Sequence, residues 1–266
     1  MERLLLIGCG NMAGAMLAGW LRAGLAPARF AVLDPALETA PEGVALFGTP
    51  QEAERAGHDA VLLGFKPQQL RALAPTLQRL AGPGVAVHSL LGGVTLAQVA
   101  AAFPEARAHV RVMPNLAARI GKSPVILAEQ GLAEAEREEL RAFYHALGLA
   151  VWEADETRFD LVTALAGSGP AFVYRFIDAL AGAASDLGLD EGDATRLATV
   201  MVEGAASLAA AADVAPGALA DRVASPGGMT REGMNVLDRE DALRRLLAET
   251  LRATADKGAA LSREVG

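Results

Sequence analysis

The 266 residues are 52% apolar, and 24 Lys and Arg stand against 32 Asp and Glu for a net charge of −8. That length and apolar content exclude wholesale disorder and suffice for one large or two modest domains around a sizeable core. The acidic balance excludes a general nucleic-acid binder, which needs a basic face to displace counterions, but leaves room for a small anionic substrate held by local charges or helix ends.

The chain opens with Met1-Glu2-Arg3 and runs straight into apolar residues. The charged region, long apolar core and cleavage site of a signal peptide are not recognisable there. Strands are predicted over 3–8, 29–33, 60–64, 84–89, 108–112, 124–128 and 149–152, as short apolar runs mostly bounded by Gly, Pro or charges. Helical patterns lie between them near 11–23, 51–56, 68–80, 95–102 and 133–147. The last carries a charged face, Glu134, Glu136, Arg137, Glu138, Glu139 and Arg141, which reads as a solvated surface. Alternating strands and helices imply a parallel sheet with helices on both faces.

From about residue 157 the pattern becomes helical throughout, over 157–166, 170–187, 190–212, 216–223, 228–238 and 240–262. Within 170–187, Phe172, Val173, Phe176, Ile177, Leu180, Ala183, Ala184 and Leu187 recur at spacings of three and four, a broad apolar stripe. The apolar stretch 161–185 is broken by Gly167-Ser168-Gly169-Pro170, Arg175 and Asp178, so it reads as a core helix and not a membrane span. The polar stretch Glu153-Ala154-Asp155-Glu156 marks the expected boundary between a domain at 1–156 and one at 157–266. A helical half of this kind suits dimerisation and closure of a substrate site.

Cys9 is the single cysteine, so neither an internal disulfide nor a Cys-based zinc site can form, which fits a reducing cytoplasm. His58, His88, His109 and His145 are scattered without close pairing, and no metal site is expected.

The sharpest feature is Gly8-Cys9-Gly10-Asn11-Met12-Ala13-Gly14, between an apolar strand and a helix. This is the context of the dinucleotide fingerprint of Rossmann-type domains. Gly8 permits the tight turn, Gly10 lets the backbone approach a pyrophosphate, and Ala13 lets the helix pack closely. The helix start then offers free N–H groups to the anion. Asp34 ends the second strand, 20 residues past Gly14. An acidic residue there contacts the adenosine ribose of NAD and repels a 2′-phosphate, although Asp34 before Pro35 also fits a turn cap.

Phe65-Lys66-Pro67-Gln68 follows the strand at 60–64, where parallel strands end at the ligand crevice. Lys66 suits a phosphate or carboxylate there, or the turn backbone suits contact with the cofactor; a solvated lysine before a Pro-started helix is the plainer reading. Ser89-Leu90-Leu91-Gly92-Gly93 ends another strand, with glycines that suit close approach to a ligand or a simple turn. Gly167-Ser168-Gly169-Pro170 places Pro170 at a helix start, and reads equally as a break that lets two helices pack. Ser225-Pro226-Gly227-Gly228-Met229-Thr230 precedes a helix. Its adjacent glycines free N–H groups that suit a carboxylate, and Thr230 adds a hydroxyl; an ordinary helix cap is the plainer reading.

IGCGNMAGAM, FKPQ, ALAGSGPAFVYRFIDALA and SPGGMTREGMNVL, in this order, resemble pyrroline-5-carboxylate reductases over essentially the whole chain. SPGGxT is the most specific part, and GSGPA supports it. The resemblance implies an α/β Rossmann-type parallel-sheet N-terminal domain plus an all-α C-terminal dimerisation domain. It implies reduction of Δ1-pyrroline-5-carboxylate to L-proline with NAD(P)H, a homodimer often assembled further, and an active site where one protomer's cofactor domain meets its partner's helical domain. Nucleic acid and membrane are not expected partners.

Carried over, Gly8, Cys9, Gly10, Asn11 and Met12 would hold the pyrophosphate. Asp34, Phe65, Lys66, Pro67, Ser89 and Asn115 would line the cofactor site. Ser225, Gly227, Gly228, Met229 and Thr230 would hold the substrate carboxylate and ring, with the Thr230 hydroxyl, the expected catalytic group, near the imine nitrogen. The chain departs from the usual family pattern at Leu116 and Ala117, where MPNTP is usual, at Gly92-Gly93, and at Met229.

Two alternatives stand beside this reading: a reductase of a related cyclic imine, and a non-catalytic nucleotide-binding regulator. A β-hydroxyacid dehydrogenase would usually need a lysine on the helical half, and beyond residue 155 the chain has only Lys257, near its end.

Overall fold

The computed structural model describes residues 2–265, with the side chains of 262, 264 and 265 left aside. It divides into two compact units, Met1–Ser168 together with Ala253–Gly266, and Gly169–Arg252.

The first unit is built on eight strands: β1 Leu4–Ile7, β2 Phe30–Leu33, β3 Ala45–Phe47, β4 Ala60–Leu63, β5 Ala86–Ser89, β6 Ala108–Met113, β7 Ser123–Gln130 and β8 Gly148–Trp152. They form one sheet in the order β3-β2-β1-β4-β5-β6-β7-β8. The first six run parallel, in the doubly wound order that reverses between β1 and β4. Every residue of β1, β4 and β5 is buried, which explains why they read as continuous apolar runs without alternation.

Side chains of successive strand residues point to opposite faces, so each strand feeds two cores. Leu4 and Leu6 join Phe30, Val32 and Leu62 on one face; Leu5 and Ile7 join Leu33, Val61 and Leu63 on the other. Helix α1, Asn11–Arg22, and helix α5, Glu134–His145, cover the first face with Met16, Trp20 and Tyr144. Trp20 stacks on Phe30 at 5.3 Å between ring centroids. Helices α2 Pro50–Glu54, α3 Leu70–Leu77 and α4 Leu96–Ala102 cover the second with Ala53, Leu70, Ala74, Leu77 and Val99. Helix α6, Phe159–Ala166, packs Phe159, Val162 and Ala166 against Leu96, Ile126 and Ala128.

Two features differ from the expectation. β3 was not anticipated; it is three residues long and not fully buried on either face, too short to show a pattern. β7 runs antiparallel to β6, so the sheet is mixed beyond β6. The connection from Met113 to Ser123 holds only the 3-10 turn Leu116–Ile120. A parallel return needs a crossover of about a dozen residues or more.

The second unit is helical: α7 Gly169–Asp186, α8 Glu191–Ala211, α9 Pro216–Val223 and α10 Met229–Asp238, followed by the first part of α11 Ala242–Val265. α7 packs on α8 through Ala181, Ala194 and Ala198, with Ile177 and Ala184 alongside. Asp190 caps α8 by accepting the Asp193 N–H at 3.1 Å.

Candidate active site

In the first unit, the expected cofactor residues gather at the carboxyl ends of β1, β2, β4, β5 and β6. Gly8 leaves β1 with φ +83°, a conformation that disfavours any side chain, and donates its N–H to the Leu33 carbonyl at 2.9 Å. Gly10 then caps α1 with no side-chain cap. The N–H groups in the first turn of a helix have no carbonyl within that helix. A Cβ on Gly10 would meet nothing within 4 Å, so the backbone there is open. An open cradle of backbone donors with a helix dipole behind it fits a pyrophosphate.

The turn also rests on a glycine that the motif does not contain. A Cβ on Gly64, the residue after β4, would lie 2.3 Å from the Gly8 carbonyl oxygen. Only glycine at that position lets β1 and β4 close up at the point where the strand order reverses. The sequence signal for it is a glycine ending an apolar strand just before Phe65-Lys66.

Asp34 reaches the glycine loop directly. Its Oδ2 accepts the Cys9 N–H at 2.9 Å and its Oδ1 accepts the Ala36 N–H at 3.0 Å. Asp34 therefore caps its own turn and ties β2 to the loop at once. Burial, and then the Asp34 charge, push the Cys9 thiol up to about 11, so it stays protonated near neutrality.

Phe65 is half-buried against the second core, and Lys66 is exposed at the start of the 3-10 turn Pro67–Gln69. The Lys66 N–H donates to Gln69 Oε1 at 3.0 Å. Ser89 is buried, and its hydroxyl oxygen accepts the Leu91 N–H at 3.2 Å. Asn115 is buried and committed on three sides. Its N–H donates to Ser123 Oγ at 2.9 Å, its Oδ1 accepts the Ala117 N–H at 2.9 Å, and its Nδ2 donates to the Ala166 carbonyl at 2.8 Å. It thereby joins β6, the following 3-10 turn, β7 and the end of α6. Leu116, next to it, is half-exposed.

The second unit carries the other group. Ser225-Pro226-Gly227-Gly228 is a closed turn: the Gly228 N–H donates to the Ser225 carbonyl at 3.0 Å, and Gly227 has φ +73°. Pro second and a positive-φ glycine third is the type II pattern. Gly228 then caps α10 without a side chain, so the first-turn N–H groups of α10 are uncommitted by the helix. Met229 and Thr230 are exposed on that turn. Arg231 braces it from behind, donating to Asp221 Oδ1 at 2.8 Å and to the Ala224 carbonyl at 3.2 Å. This brace between α9 and α10 was not anticipated; no local pattern links residues ten apart.

Three histidines are occupied structurally. His88 Nδ1 pairs with the Tyr144 hydroxyl at 2.8 Å, His109 Nε2 with the Phe103 carbonyl at 2.9 Å, and His58 Nε2 with the Leu80 carbonyl at 2.8 Å.

Residues 156–261 match the family model described as pyrroline-5-carboxylate reductase dimerisation. Residues 3–87 match one described as NADP oxidoreductase, coenzyme F420-dependent. The chain is 32% identical to the pyrroline-5-carboxylate reductase of Pseudomonas aeruginosa, over 99% of this chain and 98% of that one. It is 33% identical to the enzyme of Pisum sativum, over 88% and 86%. This chain belongs to the pyrroline-5-carboxylate reductase family.

Solved structures agree. A pyrroline-5-carboxylate reductase from Coxiella burnetii superposes with a TM-score of 0.90 at 28% identity, covering 98% of each chain. A Plasmodium falciparum pyrroline carboxylate reductase with NADP bound shares the fold, with a TM-score of 0.84 at 22% identity over 98% and 99%. In this reductase the Rossmann-type sheet and the helical region after it are the expected architecture.

Proposed function

We propose that the protein reduces the C=N bond of Δ1-pyrroline-5-carboxylate, giving L-proline, with hydride from NAD(P)H. The observation that carries this reading is the similarity to the Pseudomonas aeruginosa reductase along nearly the whole of both chains. The protein acts as a homodimer, and the matched dimerisation region at residues 156–261 supports that assembly. That region begins where the sequence divides a nucleotide module, 1–156, from a helical module, 157–266, and it supports the division. A cytoplasmic location is part of the same proposal, on the single cysteine. Among the described residues, no helix is long and apolar enough to cross a membrane.

The residues divide the work. Gly10, Asn11 and Met12 hold the pyrophosphate with backbone N–H groups and the α1 dipole, while Gly8 and Cys9, whose N–H groups bond to Leu33 and Asp34, shape the loop around it. Phe65, Lys66 and Pro67 flank it from the end of β4. Ser89 and Asn115, whose side chains are used internally, shape the loops that face the cofactor. When bound, the cofactor supplies the hydride.

Ser225, Gly227, Gly228 and Met229 present the turn and helix start that receive the substrate carboxylate. This anchoring converts part of the entropic barrier into binding. The Thr230 hydroxyl holds the imine nitrogen. A protonated or hydrogen-bonded nitrogen makes the adjacent carbon electron-poor, so hydride goes to carbon and the electron pair of the C=N bond stays on nitrogen. A hydroxyl is a weak acid, so Thr230 orients a nitrogen that arrives protonated.

The test is the loss of NADH or NADPH absorbance with pyrroline-5-carboxylate as the varied substrate. Rapid oxidation with either cofactor is expected. No oxidation with both, in folded protein that still binds nucleotide, would overturn the reading and turn the search to other cyclic imines or to a sensing role.

A further inference from the structure

The cofactor reading leaves the adenosine end open, and the ends of β2 and β3 carry an observation about it. A cleft of about 540 Å³ lies there, walled by Asp34, Pro35, Leu37, Phe47, Glu52 and Arg55 among others. We propose that this cleft takes the adenosine half of a nicotinamide dinucleotide lacking a 2′-phosphate, so that the enzyme prefers NADH to NADPH. This rests on the reductase reading above and names which form of its cofactor the chain selects.

Asp34 supplies the recognition. Each oxygen of an ionised carboxylate has about two acceptor positions. Each Asp34 oxygen is engaged by one backbone N–H, from Cys9 and from Ala36. One acceptor position per oxygen therefore remains, side by side on a group that cannot swing away. Two fixed adjacent acceptors suit two neighbouring hydroxyls, the chemistry of an unphosphorylated ribose. Because one of the two anchoring bonds comes from Cys9, the carboxylate belongs to the same constellation as the pyrophosphate cradle.

The charges point the same way. Glu52 lines the cleft as a second carboxylate, its Oε2 fixed by the N–H groups of Gly48 and Thr49 at 3.0 and 3.1 Å. Those bonds hold its carboxyl below the usual range, so it stays charged near neutrality. Arg55, which is exposed, is the one cation lining the cleft among the described residues. A 2′-phosphate would bring a further charge of about −1.5 to −2 into a cleft with two carboxylates and one guanidinium. In NADP-binding folds an Arg close to the acidic position at the end of the second strand accommodates that phosphate. The residues after Asp34 are Pro35, Ala36 and Leu37, which supply none.

Direct binding tests this apart from catalysis. Dissociation constants for NADH and NADPH would be read from nucleotide fluorescence, and those for ADP-ribose and 2′-phospho-ADP-ribose by displacement. The wild-type protein is expected to bind each unphosphorylated form about tenfold tighter or better, a difference of about 1.4 kcal/mol. Asp34→Ser should bring both ratios near one. Arg55→Ala should leave NADPH affinity within about threefold, a change under 1 kcal/mol.

Equal or tighter wild-type binding of NADPH would overturn the proposal while leaving the reductase intact. So would collapse of NADPH binding in Arg55→Ala, which would make that residue the phosphate ligand. If Asp34→Ser fails to fold, the wild-type ratios and Arg55→Ala still decide. Failure of the reductase reading looks different: nucleotide binds with a clear preference, and no imine is reduced with either form.

Discussion

The two units spend similar apolar sequences in opposite ways. In the first, the strand residues Val61, Leu62 and Leu63 are fully buried, and the large side chains Trp20, Phe103 and Tyr144 fill two cores. In the second, every buried apolar residue among those described is an alanine: Ala181, Ala194, Ala198 and Ala224. Its large side chains lie outside, with Phe176 48%, Leu197 57%, Leu208 72% and Leu187 91% exposed. Exposed apolar faces of that size mark association surfaces. The first unit fills two cores with its own large side chains, whereas the second keeps its large apolar side chains for a surface that suits a second copy of the chain.

The largest effect should come from breaking that difference. Phe176→Asp places a charge on the apolar face of α7 without touching either core of the first unit. Losing a buried aromatic anchor costs about 2 kcal/mol or more, roughly thirtyfold in the dimer constant. Sedimentation equilibrium should show monomers where the wild type is dimeric, and imine reduction should disappear. Nucleotide binding should survive, because the glycine cradle lies in the first unit, whose two cores the substitution leaves intact. An unchanged dimer constant would take α7 out of the interface.

A smaller effect separates the two units by chemistry. Thr230→Ala is expected to lower kcat by about a hundredfold while nucleotide affinity, dimerisation and helicity stay as they were. Thr230→Ser should recover most of the rate, since the hydroxyl is what matters. Equal kinetics in wild type and Thr230→Ala would remove the hydroxyl from the mechanism. A fall in nucleotide affinity would instead make it a cofactor contact.

The contrast between the units also explains what was legible in the sequence. Helices α6 to α10 fall within a few residues of their expected ranges: α7 and α8 are long enough to show their period, and α9 is marked at its start by Pro216. The fully buried parallel strands were legible as short apolar runs between punctuating residues. β3 was not, being too short for any period. The reversed direction of β7 was foreshadowed by the lack of a helix between the strands predicted at 108–112 and 124–128. At the site, residue types and order were readable, and their partners were not. Sequence offered Asp34 as a ribose contact or as a turn cap, and its two oxygens in fact accept from Cys9 and Ala36. Gly64 faces Gly8 only because β1 and β4 are neighbours in the sheet, a long-range fact that no local window contains.

The smallest effect concerns a pair that holds the first unit together without entering the chemistry. His88 on β5 and Tyr144 on α5 are both buried and bonded to each other at 2.8 Å. Burial, and then the Arg107 charge, drive the imidazole down from 6.5 to about 3, with Asp59 opposing weakly. Burial likewise pushes the Tyr144 hydroxyl well above its ordinary value, so neither group ionises near neutrality. In the unfolded chain His88 takes up a proton near its ordinary value. Between about 6.5 and about 3 the unfolded state therefore binds one more proton than the folded state. Stability from this residue is present above that window and is lost as the pH falls through it. From about pH 7 to about pH 5 the loss is about 2 kcal/mol. His88→Gln removes the proton uptake, and at neutral pH it should cost about 1–3 kcal/mol by disturbing a buried hydrogen bond. Urea unfolding of the two proteins should then show curves that are apart at pH 7 and draw together by about 2 kcal/mol at pH 5. A gap that stays constant with pH would mean that His88 carries the same proton in both states, and the buried pair would then contribute packing alone.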